Sequence, residues 1–332
     1  MTSILFITPN NAANTYQGLS ETYSAIEPPT WALLLAESCR SRGYSVEILD
    51  TLAESLDDNS ALLRIKRSSP KLICFVVYGQ NVNAGTTNMS GAVRLAKFLK
   101  LNKIGVPIGF IGSHVQALPK ETLEKETSID FIFLNEGVYA LHDILENSAF
   151  EMTKLQLVDG LALRNKDGIH FTGAPRVVPH DRMDIDMPGY AWDLLPYKET
   201  PLDLYRAPYW HAQYKTNLRS PYAAIQTSLG CQFRCSFCMI NLINKNDNLE
   251  ISNASSYSGM RHWSYDFVEK QLRYLIQLGV NTIRITDEMF FLNKKYYRPI
   301  IDLLIKLNTN NKLNLWAYSR IDTVPDPETL SK

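Results

Sequence analysis

Short apolar runs alternate with helical patterns along the first 150 residues. The runs cover residues 4–8, 45–50, 71–78, 107–112 and 130–134, and Leu72-Ile73-Cys74-Phe75-Val76-Val77 is apolar without a break. Continuous runs of this kind suit parallel strands buried on both faces. Between them, apolar residues recur at helical spacing over 28–43, 60–67, 90–99, around Lys120 and over 138–145. The first of these patterns stops at Gly43, a residue type that ends helices readily. The repeated strand–helix order predicts an α/β fold with a doubly wound, Rossmann-like parallel sheet. Ligands are then expected outside the carboxyl ends of its strands.

The pattern changes over residues 151–221. Residues 160–165 and 169–172 flank Lys166-Asp167-Gly168 and read as a hairpin. Pro175, Pro179, Pro188, Pro196, Pro201 and Pro208 then punctuate a stretch rich in aromatics. This composition predicts an ordered, irregular connector rather than a flexible linker. From residue 222 onward, strands at 222–227, 281–286 and 313–318 alternate with helices at 264–278 and 294–307. These are successive βα units, the start of a partial (β/α) barrel whose chemistry belongs at the carboxyl ends of its strands. The expected division is 1–150, a connector over 151–221, and a partial barrel over 222–332.

Composition narrows the function classes. The 332 residues carry 34 basic and 34 acidic side chains, so the total offers no electrostatic footprint for nucleic acid or an anionic membrane. Met1-Thr2-Ser3-Ile4-Leu5-Phe6-Ile7-Thr8-Pro9 lacks the basic start and long apolar run of a secretory signal, and no run of 18 apolar residues occurs. A cytoplasmic setting is expected. Cys39 and Cys74 each stand alone in apolar sequence and read as reduced core residues.

The remaining three cysteines carry the chemistry. Cys231, Cys235 and Cys238 lie in Gly230-Cys231-Gln232-Phe233-Arg234-Cys235-Ser236-Phe237-Cys238, a C-x3-C-x2-C spacing. Three thiolates in one tight loop can hold three corners of a [4Fe-4S] cluster and leave the fourth iron open, whereas most electron-transfer clusters use four cysteines. Zinc wants four closed ligands, commonly as two separated pairs, and no second pair is present. A disulfide belongs to an oxidising compartment. Chance clustering of small buried hydrophobes is the other alternative. No Gly-x-Gly-x-x-Gly or Walker-type loop is present, which removes support for nicotinamide and nucleoside-triphosphate binding.

The spacing of Cys231, Cys235 and Cys238, with Phe237 before the last, resembles the signature of the radical S-adenosylmethionine (SAM) superfamily. The resemblance implies that SAM binds the open iron and is cleaved by one electron to give a radical that takes hydrogen from a substrate. Pro28-Pro29-Thr30-Trp31, residues 43–50, Ile111-Gly112-Ser113-His114 and Asn135-Glu136-Gly137 resemble the cobalamin-binding domain of one subgroup of that superfamily. Asp184-Ile185-Asp186-Met187-Pro188 and Trp192-Asp193-Leu194-Leu195-Pro196 resemble its interdomain bridge, for which a packing role is expected. A D-x-H-x-x-G motif is absent, and His114 lies in no such motif, so no histidine is expected below the cobalt.

The resemblance further implies SAM contacts from Phe237, Asp287, Glu288 and Arg320. Thr286-Asp287-Glu288 stands where the family commonly has a Gly-Gly-Glu motif, without its glycines, and a carboxylate there suits the SAM ammonium. An acidic helix cap remains the alternative for Asp287 and Glu288, as a salt bridge does for Arg320 and plain packing for Phe237. A cobalamin-dependent methyltransferase is the implied activity. A radical cyclase, oxidase or rearrangement enzyme, and a non-catalytic cofactor-binding or interaction fragment, are the alternatives. Expected partners are an electron donor such as flavodoxin or ferredoxin and a small-molecule or peptide substrate. Only 101 residues follow Cys231, so the barrel is expected to be truncated, with weak SAM binding and self-association through an open strand edge.

Overall fold

The computed structural model describes residues 2–79, 81, 84–209, 218–233, 235, 238–240, 259–309, 312–323 and 327. Seven strands form the first sheet: β1 Ile4–Thr8, β2 Val46–Asp50, β3 Leu72–Val76, β4 Ile108–Ile111, β5 Phe131–Phe133, β6 Leu161–Asn165 and β7 Gly168–Phe171. Their order is β2-β1-β3-β4-β5-β6-β7, with β1 to β5 parallel. Each apolar run becomes a strand because helices cover both faces. One core cluster packs helix Thr30–Arg40 and helix Val138–Glu146 on one side. Another packs helices Asp58–Ser68 and Thr86–Leu101 on the other. Asp57 starts the third of these helices by accepting the Ser60 N–H at 2.7 Å.

The chain leaves β1 for one neighbour, β2, and later enters β3 on its other side. The space outside the ends of β1 and β3 is therefore the topological switch point, where ligands of doubly wound sheets bind. The hairpin expected over 160–172 forms as β6 and β7, but it extends this sheet through an antiparallel pairing of β5 with β6. Sequence gives no sign of that docking, because a hairpin's turn chemistry does not say which edge it joins.

A second, three-stranded parallel sheet has the order β12-β11-β8, from β8 Tyr222–Ile225, β11 Thr282–Ile285 and β12 Asn314–Ala317. Helices Tyr265–Gln277 and Lys294–Leu307 cover it. This is an open piece of (β/α) architecture, and no closed barrel is formed among the described residues. A two-residue pairing, β9 Ser228–Leu229 with β10 Arg261–His262, follows β8 and brackets the segment after the cysteines.

Buried polar contacts tie the connector to both sheets. Tyr205 Oη donates to Asp50 Oδ2 at 2.9 Å, while Trp263 Nε1 donates to the Met187 carbonyl at 2.9 Å. Trp192 Nε1 reaches Gln271 Oε1 at 3.2 Å. Among the described residues, no helix is long and apolar enough to cross a membrane.

Candidate cofactor site

The carboxyl ends of the two sheets face one shared cavity of about 380 Å³, within the range of ligand sites. Thr8, Pro9 and Asn11 after β1, and Val76, Tyr78 and Gly79 at the end of β3, form one wall. Gln226 and Ser228 after β8, and Thr286 and Glu288 after β11, form the opposite wall. Trp31 and Tyr78 present neighbouring rings with centroids 5.5 Å apart. Three polar atoms on the lining, Thr8 Oγ1, Trp31 Nε1 and Gln226 Oε1, are buried without a hydrogen-bond partner. Buried polar atoms are normally satisfied, so this trio suits a ligand that carries both hydrogen-bond donors and acceptors.

The cysteine loop lies at the rim. Gly230 lines the cavity at φ +87°, a left-handed conformation that glycine adopts without strain, and Cys231 follows it. Cys231 is buried, while Cys235 and Cys238 are half-buried. The Cys238 N–H donates to the Cys235 carbonyl at 3.0 Å, and the Phe233 N–H points at Cys231 Sγ at 3.5 Å. Cys231, Ile240 and Met289 form a small apolar cluster that also packs Tyr78, Phe233 and Cys238, so the loop touches both halves of the chain. Burial pushes the Cys231 thiol up, as do the nearby Cys238, Glu288 and Cys235.

These three thiols are the soft donor set that an iron–sulfur cluster needs. Cys238 packs against the apolar cluster that contains Cys231, and no group of three His, Cys, Asp or Glu side chains among the described residues forms a metal-holding set. Arg234, Ser236 and Phe237 of the same loop lie outside the described residues, so the adenine contact expected from Phe237 has no structural counterpart here.

Asp287 and Glu288 divide sharply. Asp287 is 1% exposed, and its carboxylate accepts from Thr227 N–H at 2.6 Å, Thr227 Oγ1 at 2.5 Å and Ser228 Oγ at 2.7 Å. Glu288 lines the cavity instead. Burial, together with the neighbouring Asp287, pushes its carboxyl up to about 7. Arg320 lies with its guanidinium 4.2 Å from the Phe233 ring centroid and pairs with Asp322 at 2.7 Å. His114 bonds Thr86 Oγ1 at 3.0 Å and does not line the cavity.

Sequence reasoning missed Glu27 and Arg284. Arg284 is fully buried, pairs with cavity-lining Glu27, and stacks between Trp316 and Tyr318 at 4.6 and 4.8 Å. The available signal was an arginine inside an otherwise apolar strand, which needs a partner to be buried.

Residues 16–145 match the B12-binding domain family. That stretch carries the first sheet from β2 to β5, with the helices between them. An uncharacterised methyltransferase of Pyrococcus horikoshii is 26% identical over 301 residues, 89% of this chain and 56% of that relative. The hopanoid C-3 methylase of Methylococcus capsulatus is 27% identical over 207 residues, 62% of this chain and 34% of its own. The chain spans about half, or less, of the curated relatives it matches. In fold it is similar to the radical SAM methyltransferase TsrM of Kitasatospora setae, solved with a tryptophan substrate and a SAM analogue (TM-score 0.68, 17% identity, covering 100% of this chain and 56% of that one). It is also similar to OxsB, solved with aqua-cobalamin and SAM (TM-score 0.65, 17% identity, 99% and 40% coverage).

Proposed function

We propose that this chain supplies the cofactor-holding part of a cobalamin-dependent radical SAM methyltransferase. The cavity shared by the carboxyl ends of both sheets, lined by Gly230 and Ile240 on either side of the three cysteines, is the observation that carries this reading. When bound, the cluster would supply an electron to SAM and the cobalamin a methyl-carrying cobalt; the protein supplies binding, orientation and shielding. Cys231, Cys235 and Cys238 hold the cluster. Trp31 and Tyr78 offer an aromatic wall, and Thr8, Trp31 and Gln226 offer hydrogen bonds to corrin amides. Glu288 receives the SAM ammonium, and Arg320 pairs with the SAM carboxylate. A flavodoxin- or ferredoxin-type donor reduces the cluster, and the methyl acceptor is a small molecule or a peptide.

Anaerobic reconstitution tests the reading. The chain should retain about one four-iron cluster and about one cobalamin, and consume SAM when strongly reduced. Retention of neither cofactor at micromolar concentration overturns it.

Two further outcomes follow from the site. No histidine lines the cavity among the described residues, so electron paramagnetic resonance of bound cobalt(II) should lack nitrogen superhyperfine splitting. A split signal would place a histidine below the metal. Glu288 is neutral below about pH 7 and ionised above it. SAM should therefore bind more tightly as pH rises through that value, because only the carboxylate pairs with the ammonium. Glu288→Gln should flatten that dependence in anaerobic equilibrium dialysis; an unchanged profile would remove Glu288 from the SAM site.

A further inference from the structure

Residues 226–228 are the stem from which the cysteine loop leaves the end of β8, and side chains from three directions fix them. Tyr190 Oη accepts the Gln226 N–H at 2.8 Å and donates to the Gln226 carbonyl at 3.0 Å. Tyr296 Oη donates to the Thr227 carbonyl at 2.7 Å, and the Trp263 N–H reaches the same oxygen at 3.1 Å. Asp287 holds the Thr227 N–H and both stem hydroxyls. Thr227, Ser228 and Asp287 are each no more than 3% exposed, so water cannot replace these bonds.

Asp287 comes from the end of β11, beside the stem. It therefore locks the exit of one parallel strand to the exit of the next, three residues before the first cysteine. Both of its carboxylate oxygens are used inside the protein. Glu288, the next residue, faces the cavity. Adjacent acids thus have different work: one faces inward to the stem, the other outward to ligand.

We infer that Asp287 is a positioning residue, which fixes the Thr227–Ser228 stem so that Cys231 meets the cluster at the rim of the cavity. The inference rests on the proposed function. Outer-shell partners of metal ligands typically change metal affinity by about 10–100-fold, and Asp287 acts on Cys231 through the stem.

The test uses the full chain, reconstituted anaerobically, as wild type, Asp287→Ala, Asp287→Asn and Glu288→Gln. Asp287→Ala should lose iron to a chelator at least about tenfold faster and show altered g-values in the reduced cluster without SAM. It should keep cobalamin binding. Asp287→Asn retains a carbonyl for the Thr227 N–H and should recover most of the wild-type signal. Glu288→Gln should hold iron like wild type and change only the response to SAM.

Thr227→Val removes one hydroxyl and little volume, so it should give a smaller shift in the same direction. It carries the test if Asp287→Ala does not fold. Wild-type protein that takes up no iron overturns the proposed function, and the positioning role with it. Wild type that loads normally, alongside Asp287→Ala (or Thr227→Val in its place) with unchanged iron retention and unchanged g-values, overturns the positioning role alone.

Discussion

Glu136→Gln should lower the unfolding temperature by an amount on the order of 10 °C, the shift expected for a loss of about 3–5 kcal/mol. Glu136 and Arg261 form an ion pair at 2.9 Å with side chains 0% and 2% exposed. Glu136 precedes the helix Val138–Glu146, whereas Arg261 belongs to β10. Between them, the Val178 carbonyl accepts from Arg261 Nη1 at 2.6 Å, and the Val178 N–H donates to Glu136. One buried staple therefore joins the first sheet, the connector and the segment around the cysteine loop. The glutamine variant removes the Glu136 charge from a buried guanidinium, which is the costly way to break such a pair. The double variant Glu136→Leu/Arg261→Met should recover much of the loss, since two apolar side chains need no counter-charge. Calorimetry of the three proteins decides. A single variant as stable as wild type would mean that the pair carries no net weight.

Joint replacement of Cys231, Cys235 and Cys238 by Ala should abolish the visible charge-transfer absorption and bound iron altogether. Full loss is expected because no other thiol is competent to substitute. Cys39 and Cys74 are 0% exposed in the core, and burial pushes the Cys39 thiol up to about 12. A thiol that does not ionise neither ligates metal nor reacts. Replacing Cys39 or Cys74 should therefore leave iron content alone and cost only packing. Iron retained by the triple variant would sink the assignment of the cluster to this loop.

The strands of both sheets were legible because apolar runs flanked by helical spacing leave few alternatives; 71–78 and 281–286 became β3 and β11 with ends trimmed by a few residues. The C-x3-C-x2-C spacing of Cys231, Cys235 and Cys238 stood out in the sequence because thiolate spacing is itself chemistry. Less visible was the split between Asp287 and Glu288. Neighbouring residues at a strand end point to opposite sides, and which side holds the stem depends on Thr227 and Ser228, 60 and 59 residues away in sequence. Glu136 was seen only as part of a resemblance, although its role is a staple to a residue 125 positions on. Glu27 and Arg284, 257 positions apart, carry no periodicity that would announce their pairing. Long-range polar contacts depend on how sheets are set against each other, and local pattern does not encode that.

A cavity walled by two different sheets also has a thermodynamic consequence. Any ligand that fills it gains contacts with Thr8 and Tyr78 on one side and with Gln226 and Glu288 on the other, so either half unfolding alone would release it. Occupancy then couples the two melting events. At a free concentration 100-fold above its dissociation constant, such a ligand adds about 2.7 kcal/mol to the folded state. Two separate heat-absorption peaks in the empty protein would merge into one as cofactor is added, with the merged peak moving upward in proportion to the logarithm of its concentration.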